Sequence, residues 1–218
     1  MNWTGKKIVV LGDSITEGAG ASSEQNVYHQ LLKRMLGLSE LISYGIGGTR
    51  IARQTVPSEF PLYDLDFNKR APEMDSDADL VIVFGGTNDF GHGDAPLGNK
   101  GDDTVYTFYG ACKCLFDTLV QKYGKNKIVV VTPMHRIGED NVFGDGSKVK
   151  ASAPMYKYID ALLNVANEEQ LKVLNLWADD DLNLHIGDNV KYFCDGLHPN
   201  DSGHRLIAEK MAIYLKSL

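Results

Sequence analysis

Short runs of apolar residues alternate along the chain with longer segments in which apolar residues recur at helical spacing. The short runs are rich in Ile, Val and Leu, which is typical of strands buried on both faces of a sheet. They predict five β-strands, at Lys7–Leu11, Glu40–Tyr44, Leu80–Phe84, Lys127–Val131 and Leu171–Leu176.

The longer segments predict amphipathic helices. Their apolar stripes run through Val27–Leu36, Val105–Tyr123, Met155–Ala166 and Ile207–Leu218, and packing against a core explains such stripes without a cofactor. Strands that alternate with helices favour a parallel sheet. We therefore predict an α/β protein with three layers (α/β/α), in which a flavodoxin-like five-stranded parallel sheet carries helices on both faces. In such sheets ligands bind beyond the carboxyl ends of the strands.

The composition narrows the class of protein. A chain of 218 residues with 43% hydrophobic and 23% charged side chains can bury one sizeable core, and we predict a single domain over residues 1–218. The net charge of −7 argues against a nucleic-acid partner, since binding to the phosphate backbone depends on Lys and Arg. The chain has no apolar run that could span a bilayer and no long amphipathic lid, so we expect no stable membrane association.

The N-terminus and the cysteines bear on the compartment. Two lysines precede only four consecutive apolar residues, a stretch too short for a secretory signal. The cysteines, Cys112, Cys114 and Cys194, are odd in number and indicate no disulfide framework. We expect a cytoplasmic protein, or a secreted one whose signal is missing from this sequence. No pattern bears on the oligomeric state.

The first candidate for chemistry follows the first predicted strand. Ser14 lies in the segment Gly12-Asp13-Ser14, where a strand turns toward a helix. Its hydroxyl and its own N–H would face the same space at such a turn. Ser14 and Glu17 also have the spacing of a capping box, in which the serine would only satisfy free N–H groups of the helix.

Two further candidates follow the second and third strands. The segment Gly45-Ile46-Gly47-Gly48-Thr49 can turn sharply and let a ligand approach a backbone N–H, or it can be an ordinary tight turn. In Gly86-Thr87-Asn88-Asp89, the Asn88 amide could donate a hydrogen bond to a developing oxyanion. An Asx turn is the other use of an asparagine at this position.

The fourth candidate lies near the C-terminus, where Asp195 and His198 share one short turn. A carboxylate there can hold one imidazole nitrogen and leave the other facing a serine. The alternative is a segment that merely starts the last helix, with Asn200 or Asp201 as its cap. If the strands are parallel, the first three loops leave the same edge of the sheet, which favours one shared site.

These four segments resemble the sequence blocks of the SGNH hydrolase superfamily, also called GDSL-type lipases and esterases. Gly12-Asp13-Ser14 matches the first block, Gly86-Thr87-Asn88-Asp89 the third and Asp195-Gly196-Leu197-His198-Pro199 the fifth. The second block usually opens with Asn and closes on an oxyanion glycine. Here it opens with Ser43, a departure, and Gly48 is the closing glycine. The blocks occur in family order, so the resemblance spans nearly the whole chain.

The resemblance implies a serine ester hydrolase that works through an acyl-enzyme. Ser14 would be the nucleophile, His198 the general base and then the general acid, and Asp195 the group that orients His198. The backbone N–H groups of Ser14 and Gly48 and the side-chain amide of Asn88 would form the oxyanion hole. No metal or organic cofactor is needed.

The resemblance also implies a small-molecule ester as substrate, and an acyl group on a carbohydrate is our first expectation. A lipase, a lysophospholipase and a thioesterase are the alternatives that the family allows. His92 and His135 follow predicted strands and could line the substrate cleft, although solvated loop positions explain them equally well.

Other classes of function stay open at this point. A metal hydrolase would recruit some of the residues His92, Asp94, His135 and His198, but no short ligand spacing supports it. A receiver-type module would use Asp13 and Asp89 as acceptors of a phosphoryl group. A binding module that kept the fold and lost catalysis is a third possibility. His29 and His204 fall in helical patterns and His185 in a loop, and we assign them no chemistry.

Overall fold

The computed structural model describes residues Met1–Leu218 and confirms the predicted parallel sheet. Its five strands pair in the order β2-β1-β3-β4-β5, and every pair is parallel. This is the flavodoxin-like order. The strands are β1 (Lys7–Gly12), β2 (Glu40–Gly45), β3 (Leu80–Phe84), β4 (Ile128–Val131) and β5 (Lys172–Leu174).

Helices cover both faces of the sheet, as predicted. The α-helices are α1 (Ser14–Glu17), α2 (Tyr28–Leu36), α3 (Phe67–Arg70), α4 (Thr87–Gly91), α5 (Phe108–Tyr123), α6 (Met155–Glu168) and α7 (Asp201–Ser217). Short 3₁₀ turns occupy Glu24–Asn26, Pro61–Asp64, Ala71–Glu73, Lys125–Lys127, Asp180–Leu182 and Asn189–Tyr192. The four long helices are those that the apolar stripes indicate, whereas the stripes gave no sign of α1, α3 and α4.

Two apolar cores lie on opposite faces of the sheet. One is built from α5, α6 and alternate residues of the central strands, such as Val9, Val81 and Val130. The other is built from α2, α7 and the intervening strand residues, such as Val10 and Ile82. Alternate side chains of a strand point to opposite faces, so the central strands must be apolar throughout.

The two edge strands differ from the expectation that every strand is buried on both faces of the sheet. Strands β1, β3 and β4 are buried along almost their whole length, but β2 and β5 keep partly exposed side chains. The reason is their position, since β2 and β5 form the two edges of the sheet. Strand β5 is also shorter than predicted, because the Asn175 side chain accepts hydrogen bonds from Thr132 and from the backbone of Ala178 and turns the chain.

The carboxyl ends of the strands position the candidate residues. Because β1, β2 and β3 are parallel neighbours, Gly12, Gly45 and Phe84 lie in register at one edge of the sheet. The segments that follow these strands therefore leave the sheet side by side. No helix of the structure is both long and apolar enough to cross a membrane.

Candidate active site

Ser14 is the first residue of α1, directly after strand β1. The helix is capped by Asp13, whose side chain accepts a hydrogen bond from the Ile15 N–H at 3.1 Å. The capping-box interpretation of Ser14 is therefore wrong, because Asp13 caps the helix and the Ser14 hydroxyl takes no part in the cap. As the first residue of a helix, Ser14 also has an N–H without an acceptor inside the helix.

The Ser14 hydroxyl contacts the imidazole of His198. Ser14 Oγ lies 3.0 Å from His198 Nε2, although the two residues are far apart in the sequence. On the other side of the ring, His198 Nδ1 lies 2.7 Å from Asp195 Oδ2. An ionised carboxylate only accepts, so Nδ1 carries the proton and Nε2 is the acceptor for the serine hydroxyl. The three side chains thus have the order and tautomer of a hydrolase triad.

Asp195 is held by its own turn. Its Oδ1 accepts hydrogen bonds from the backbone N–H groups of Leu197 at 3.0 Å and His198 at 2.8 Å. Partial burial raises the pKa of Asp195, but the hydrogen bonds from the His198 ring and from these N–H groups outweigh it and hold the pKa below its ordinary value. The carboxylate therefore stays ionised, which keeps His198 in the required tautomer.

A small antiparallel bridge fixes the turn that carries Asp195 and His198. Phe193 pairs with Pro199, and the Cys194 N–H donates to the His198 carbonyl at 2.8 Å. Helix α7 then starts on a cap formed by Asn200, whose side chain accepts from two N–H groups of the first turn. The cap and the His198 turn are thus successive parts of one segment, and the two interpretations of this sequence hold together.

The glycine turn after β2 has one N–H that is bound and one that is free. Glu17 Oε2 accepts from the N–H of Gly47 at 3.1 Å, whereas the N–H of Gly48 has no acceptor. Gly48 has φ +70°, and a Cβ there would lie 2.1 Å from Cε1 of Tyr63. Only glycine fits this position, and its free N–H is the one available to a ligand.

The Asn88 amide lies beside this turn. Its Nδ2 donates to the carbonyl of Thr49 at 3.0 Å, and the side chain is buried. The second amide hydrogen remains available to a ligand. Asn88 Oδ1 accepts no local N–H, so the Asx turn that the sequence left open does not form.

The segment after Thr49 is held from two sides. Asp89 is buried and accepts from the N–H groups of Ile51 at 2.9 Å and Ala52 at 2.8 Å. Arg70 donates to the carbonyl of Gly12 and to the Thr49 hydroxyl. These bonds fix the loops after β1, β2 and β3 relative to one another.

The same contacts argue against a receiver-type module. Burial raises the pKa of Asp13 to about 6 and that of Asp89 to about 6. Both carboxyl groups are almost fully buried, and each is bonded to backbone N–H groups. Neither is exposed as a phosphoryl acceptor would need to be.

A cavity of about 1220 Å³ opens on the far side of the glycine turn. Tyr63 covers Gly48 and lines this cavity together with His92 and Lys148. Ser14 and His198 do not line it, and Tyr63 is the wall residue that contacts the glycine turn, at Gly48. Its size exceeds that of a typical small-ligand pocket, about 300–1,000 Å³.

His92 is a neutral member of the cavity wall. Arg50 Nη1 donates to His92 Nδ1 at 2.8 Å, and the ring packs against Tyr63. Burial, and then the charge of Arg50, lower the pKa of His92 to about 4. Its position in the wall is compatible with the predicted contact with substrate.

His135 lies elsewhere, in a cluster with Glu139 and His185. The His135 ring stacks on Trp177 with centroids 3.7 Å apart and bonds to Glu139 at 2.8 Å. It is not part of the cavity wall, and its predicted contact with substrate stays a prediction. The set proposed for a metal hydrolase is divided, since His92 pairs with Arg50, His135 with Glu139 and His198 with Ser14.

Several residues that build the site carried no signal in the sequence. Glu17 was interpreted only as part of a capping box, and Arg70 was not singled out at all. Both act through backbone groups that folding brings near, Gly47 for Glu17 and Gly12 for Arg70. The one usable hint was Glu17 itself, an acidic side chain directly after the candidate serine.

Comparison with known proteins places this arrangement in a family. A model of the GDSL-like lipase/acylhydrolase family matches residues 10–206. A curated relative, a GDSL esterase/lipase of Arabidopsis thaliana, is 26% identical over 144 residues. That match covers 63% of this chain and 44% of the plant protein, so the chain spans less than half of that relative's length.

Solved structures agree with the fold. The structure of a protein from Lactobacillus plantarum is 28% identical, with a TM-score of 0.81 over 98% of each chain. An acetyl xylan esterase is 23% identical, with a TM-score of 0.64 over 96% of this chain and 99% of its own. Because its sequence identity is only 23%, the likeness to the acetyl xylan esterase supports the fold alone.

Proposed function

The chain belongs to the GDSL-like lipase/acylhydrolase family, as its sequence blocks predicted, and from this premise we propose that it is a serine ester hydrolase with a Ser14–His198–Asp195 triad. The observation that carries the proposal is the pair of contacts on the His198 ring, 3.0 Å to Ser14 Oγ and 2.7 Å to Asp195 Oδ2. We also propose that residues 1–218 act as one domain.

The reaction has two halves. His198 Nε2 takes the proton of the Ser14 hydroxyl while Oγ attacks the ester carbonyl. The tetrahedral intermediate then collapses, and His198 returns the proton to the leaving alcohol. Water, deprotonated by the same nitrogen, attacks the acyl-enzyme and releases the acid and Ser14. Asp195 stabilises the imidazolium that forms in each half.

The negative charge of the intermediate is received by three donors. They are the N–H of Ser14, the N–H of Gly48 and the second hydrogen of the Asn88 amide. Support comes from the free state of the Gly48 N–H and from the hydrogen bond that aims the Asn88 amide along the Gly48–Thr49 segment. One such donor contributes roughly 3 kcal/mol to lowering the barrier.

The proposed triad is tested by replacing its other two members, His198 and Asp195. His198→Ala should lower kcat for a p-nitrophenyl ester by about 10⁴-fold or more, and Asp195→Ala should lower it less, because the imidazole remains as a base. The melting temperature serves as the control for folding. A folded His198→Ala variant with wild-type turnover would remove His198 from the reaction.

For the substrate, we propose a small acyl group on a carbohydrate. The large cavity beyond Gly48 supports a bulky leaving group, and its wall offers polar side chains such as Ser58, His92 and Lys148 to sugar hydroxyls. The similar fold of an enzyme named as an acetyl xylan esterase is consistent with this choice. A lipase or a thioesterase would instead favour long acyl chains or a thioester.

Ala151→Trp tests the use of the cavity. Ala151 is exposed at its wall, so the larger side chain fills space without disturbing a core. The variant should turn over p-nitrophenyl acetate like the wild type and lose activity on acetylated oligosaccharides. If Ala151→Trp matched the wild type on both esters, the leaving group would bind outside this cavity. If the wild type preferred long acyl chains, the lipase alternative would be favoured.

A further inference from the structure

Three side chains with metal-ligand atoms meet at a point that the proposed reaction does not use. They are His135, Glu139 and His185, and their ligand atoms all lie within 4.8 Å of one another. Glu139 Oε1 is 2.8 Å from His135 Nδ1 and 3.5 Å from His185 Nε2. From this geometry we propose that the cluster binds a divalent transition-metal ion of the zinc type.

The spacing of the three atoms suits such an ion. In tetrahedral zinc sites the ligand atoms lie about 2.0–2.2 Å from the metal, and hence roughly 3.3 Å from one another. The 3.5 Å separation already matches this value, and the 2.8 Å hydrogen bond needs only a small opening. The imidazole nitrogens of His135 and His185 lie within 4.8 Å of each other and would close by at most about 1.5 Å. Zinc takes the place of the proton between His135 Nδ1 and Glu139, and this proton leaves to solvent.

The chemistry of the donors selects the class of ion. Two imidazole nitrogens are borderline donors, and together with one carboxylate oxygen they form a ligand set that suits zinc, nickel or copper. Magnesium and calcium prefer oxygen ligands throughout. The three protein ligands leave a fourth position for water, and the half-exposed His185 ring gives solvent access to the site.

The ligands are held in place by their surroundings, as ligands of metal sites usually are. The second oxygen of Glu139 accepts from the Arg136 N–H at 2.9 Å, which fixes the carboxylate plane. The His135 ring is stacked on Trp177. The backbone N–H of His185 donates to the side chain of Asn183 at 3.0 Å, which orders the loop on that side.

The position of the cluster indicates what the ion does. His135 and Glu139 follow β4, whereas His185 belongs to the segment that leads to Asp195 and His198. Between the first two ligands, the Ile137 N–H donates to the Gly196 carbonyl at 2.8 Å. An ion that joins His185 to Glu139 therefore adds a second link between these two segments and steadies the turn that carries His198.

Zinc titration of the metal-free protein by calorimetry tests the proposal. We expect one zinc ion per chain and a higher melting temperature with zinc. His185→Ala removes an exposed ligand with little risk to folding and should weaken binding by at least about tenfold. Glu139→Gln should weaken zinc binding in the same way. If Glu139→Gln does not fold, the affinity of His185→Ala for zinc decides the test.

Two variants control for other binding sites. Asp140→Asn removes an exposed carboxylate next to Glu139 and should bind zinc like the wild type. His198→Ala should also keep the affinity, because zinc could otherwise bind to the His198–Asp195 pair. Absence of stoichiometric binding, equal affinity in wild type and His185→Ala, or loss of binding in His198→Ala would each overturn the proposal.

Discussion

Glu17 Oε2 accepts a hydrogen bond from the backbone N–H of Gly47 at 3.1 Å. This contact ties the helix that begins at Ser14 to the glycine turn after β2. It favours Gly48 over Gly47 as the proposed oxyanion donor, because the N–H of Gly47 is already bound and that of Gly48 is free. We interpret Glu17 as a positioning residue for the oxyanion hole.

Glu17→Ala should lower kcat by about tenfold with little change in KM, since a misplaced donor is felt mainly in the transition state. Glu17→Gln keeps an acceptor oxygen and should restore most of the activity. Steady-state kinetics on one p-nitrophenyl ester compare the three proteins. Wild-type kcat in Glu17→Ala would show that the turn holds its shape without this contact.

Asn88→Ala should lower kcat by about 10²–10³-fold and affect KM much less, as expected for loss of one oxyanion donor. Asn88→Asp should be equally inactive, because a carboxylate repels both the oxyanion and the Thr49 carbonyl that the amide now contacts at 3.0 Å. If Asn88 only shaped the start of α4, the aspartate variant would be active. An active, folded Asn88→Asp enzyme therefore excludes Asn88 from the site.

The candidate site residues that the sequence could identify are those that lie near a strand end or within one turn. Ser14 comes two residues after the end of β1 and Asn88 four residues after the end of β3, and Asp195 lies three positions before His198 in the same turn. Parallel pairing of β1 and β3 then brings the loops together. The central strands β1, β3 and β4 could be predicted because buried strands need apolar residues on both faces, whereas β2 and β5 were found from their short apolar runs although they are partly exposed.

Residues that act across the fold could not be predicted. Glu139 and His185 are distant in the sequence, and nothing in their local pattern indicates that their side chains approach to 3.5 Å. The same is true of Arg70, which reaches the carbonyl of Gly12 from a helix that the apolar stripes did not indicate. Such contacts depend on how loops of irregular shape pack, and the hydrophobic pattern carries no information about this packing.

The buried carboxyl of Asp89 should give stability an unusual pH dependence. Burial raises its pKa to about 6. The folded chain therefore holds this proton more tightly than the unfolded chain, so the contribution of Asp89 to stability is present at low pH and lost as the pH rises toward 6. Asn cannot titrate, so the destabilisation caused by Asp89→Asn should be larger at pH 4 than at pH 7.

The expected difference is roughly 2 kcal/mol, since each tenfold change in proton affinity is worth about 1.4 kcal/mol and the unfolded carboxyl, with its ordinary pKa of 3.8, is only partly protonated at pH 4. Urea unfolding of wild type and variant at the two pH values measures it. A constant difference between the two proteins would mean that Asp89 has its ordinary pKa in the folded chain.

Turnover should not depend on a metal ion, because the proposed triad and oxyanion donors need none. Prolonged treatment with EDTA should leave the initial rate on a p-nitrophenyl ester within about twofold of the untreated enzyme, a change worth less than about 0.5 kcal/mol of barrier. If EDTA abolished turnover and zinc restored it, the activity would depend on an ion, either in the reaction itself or through the turn that carries His198. The prediction that turnover is independent of metal would then be wrong, and the proposed zinc ion at His135, Glu139 and His185 would be required for activity.

The identity of the nucleophile is tested most directly by covalent labelling with a fluorophosphonate, followed by peptide mapping by mass spectrometry. Such probes react with serines that a neighbouring base activates, and Ser14 has His198 Nε2 at 3.0 Å. We predict one adduct per chain, on Ser14, and an inactive Ser14→Ala variant that takes up no label and keeps the melting temperature of the wild type. Label on another residue of the active enzyme, or turnover by Ser14→Ala, would contradict the account.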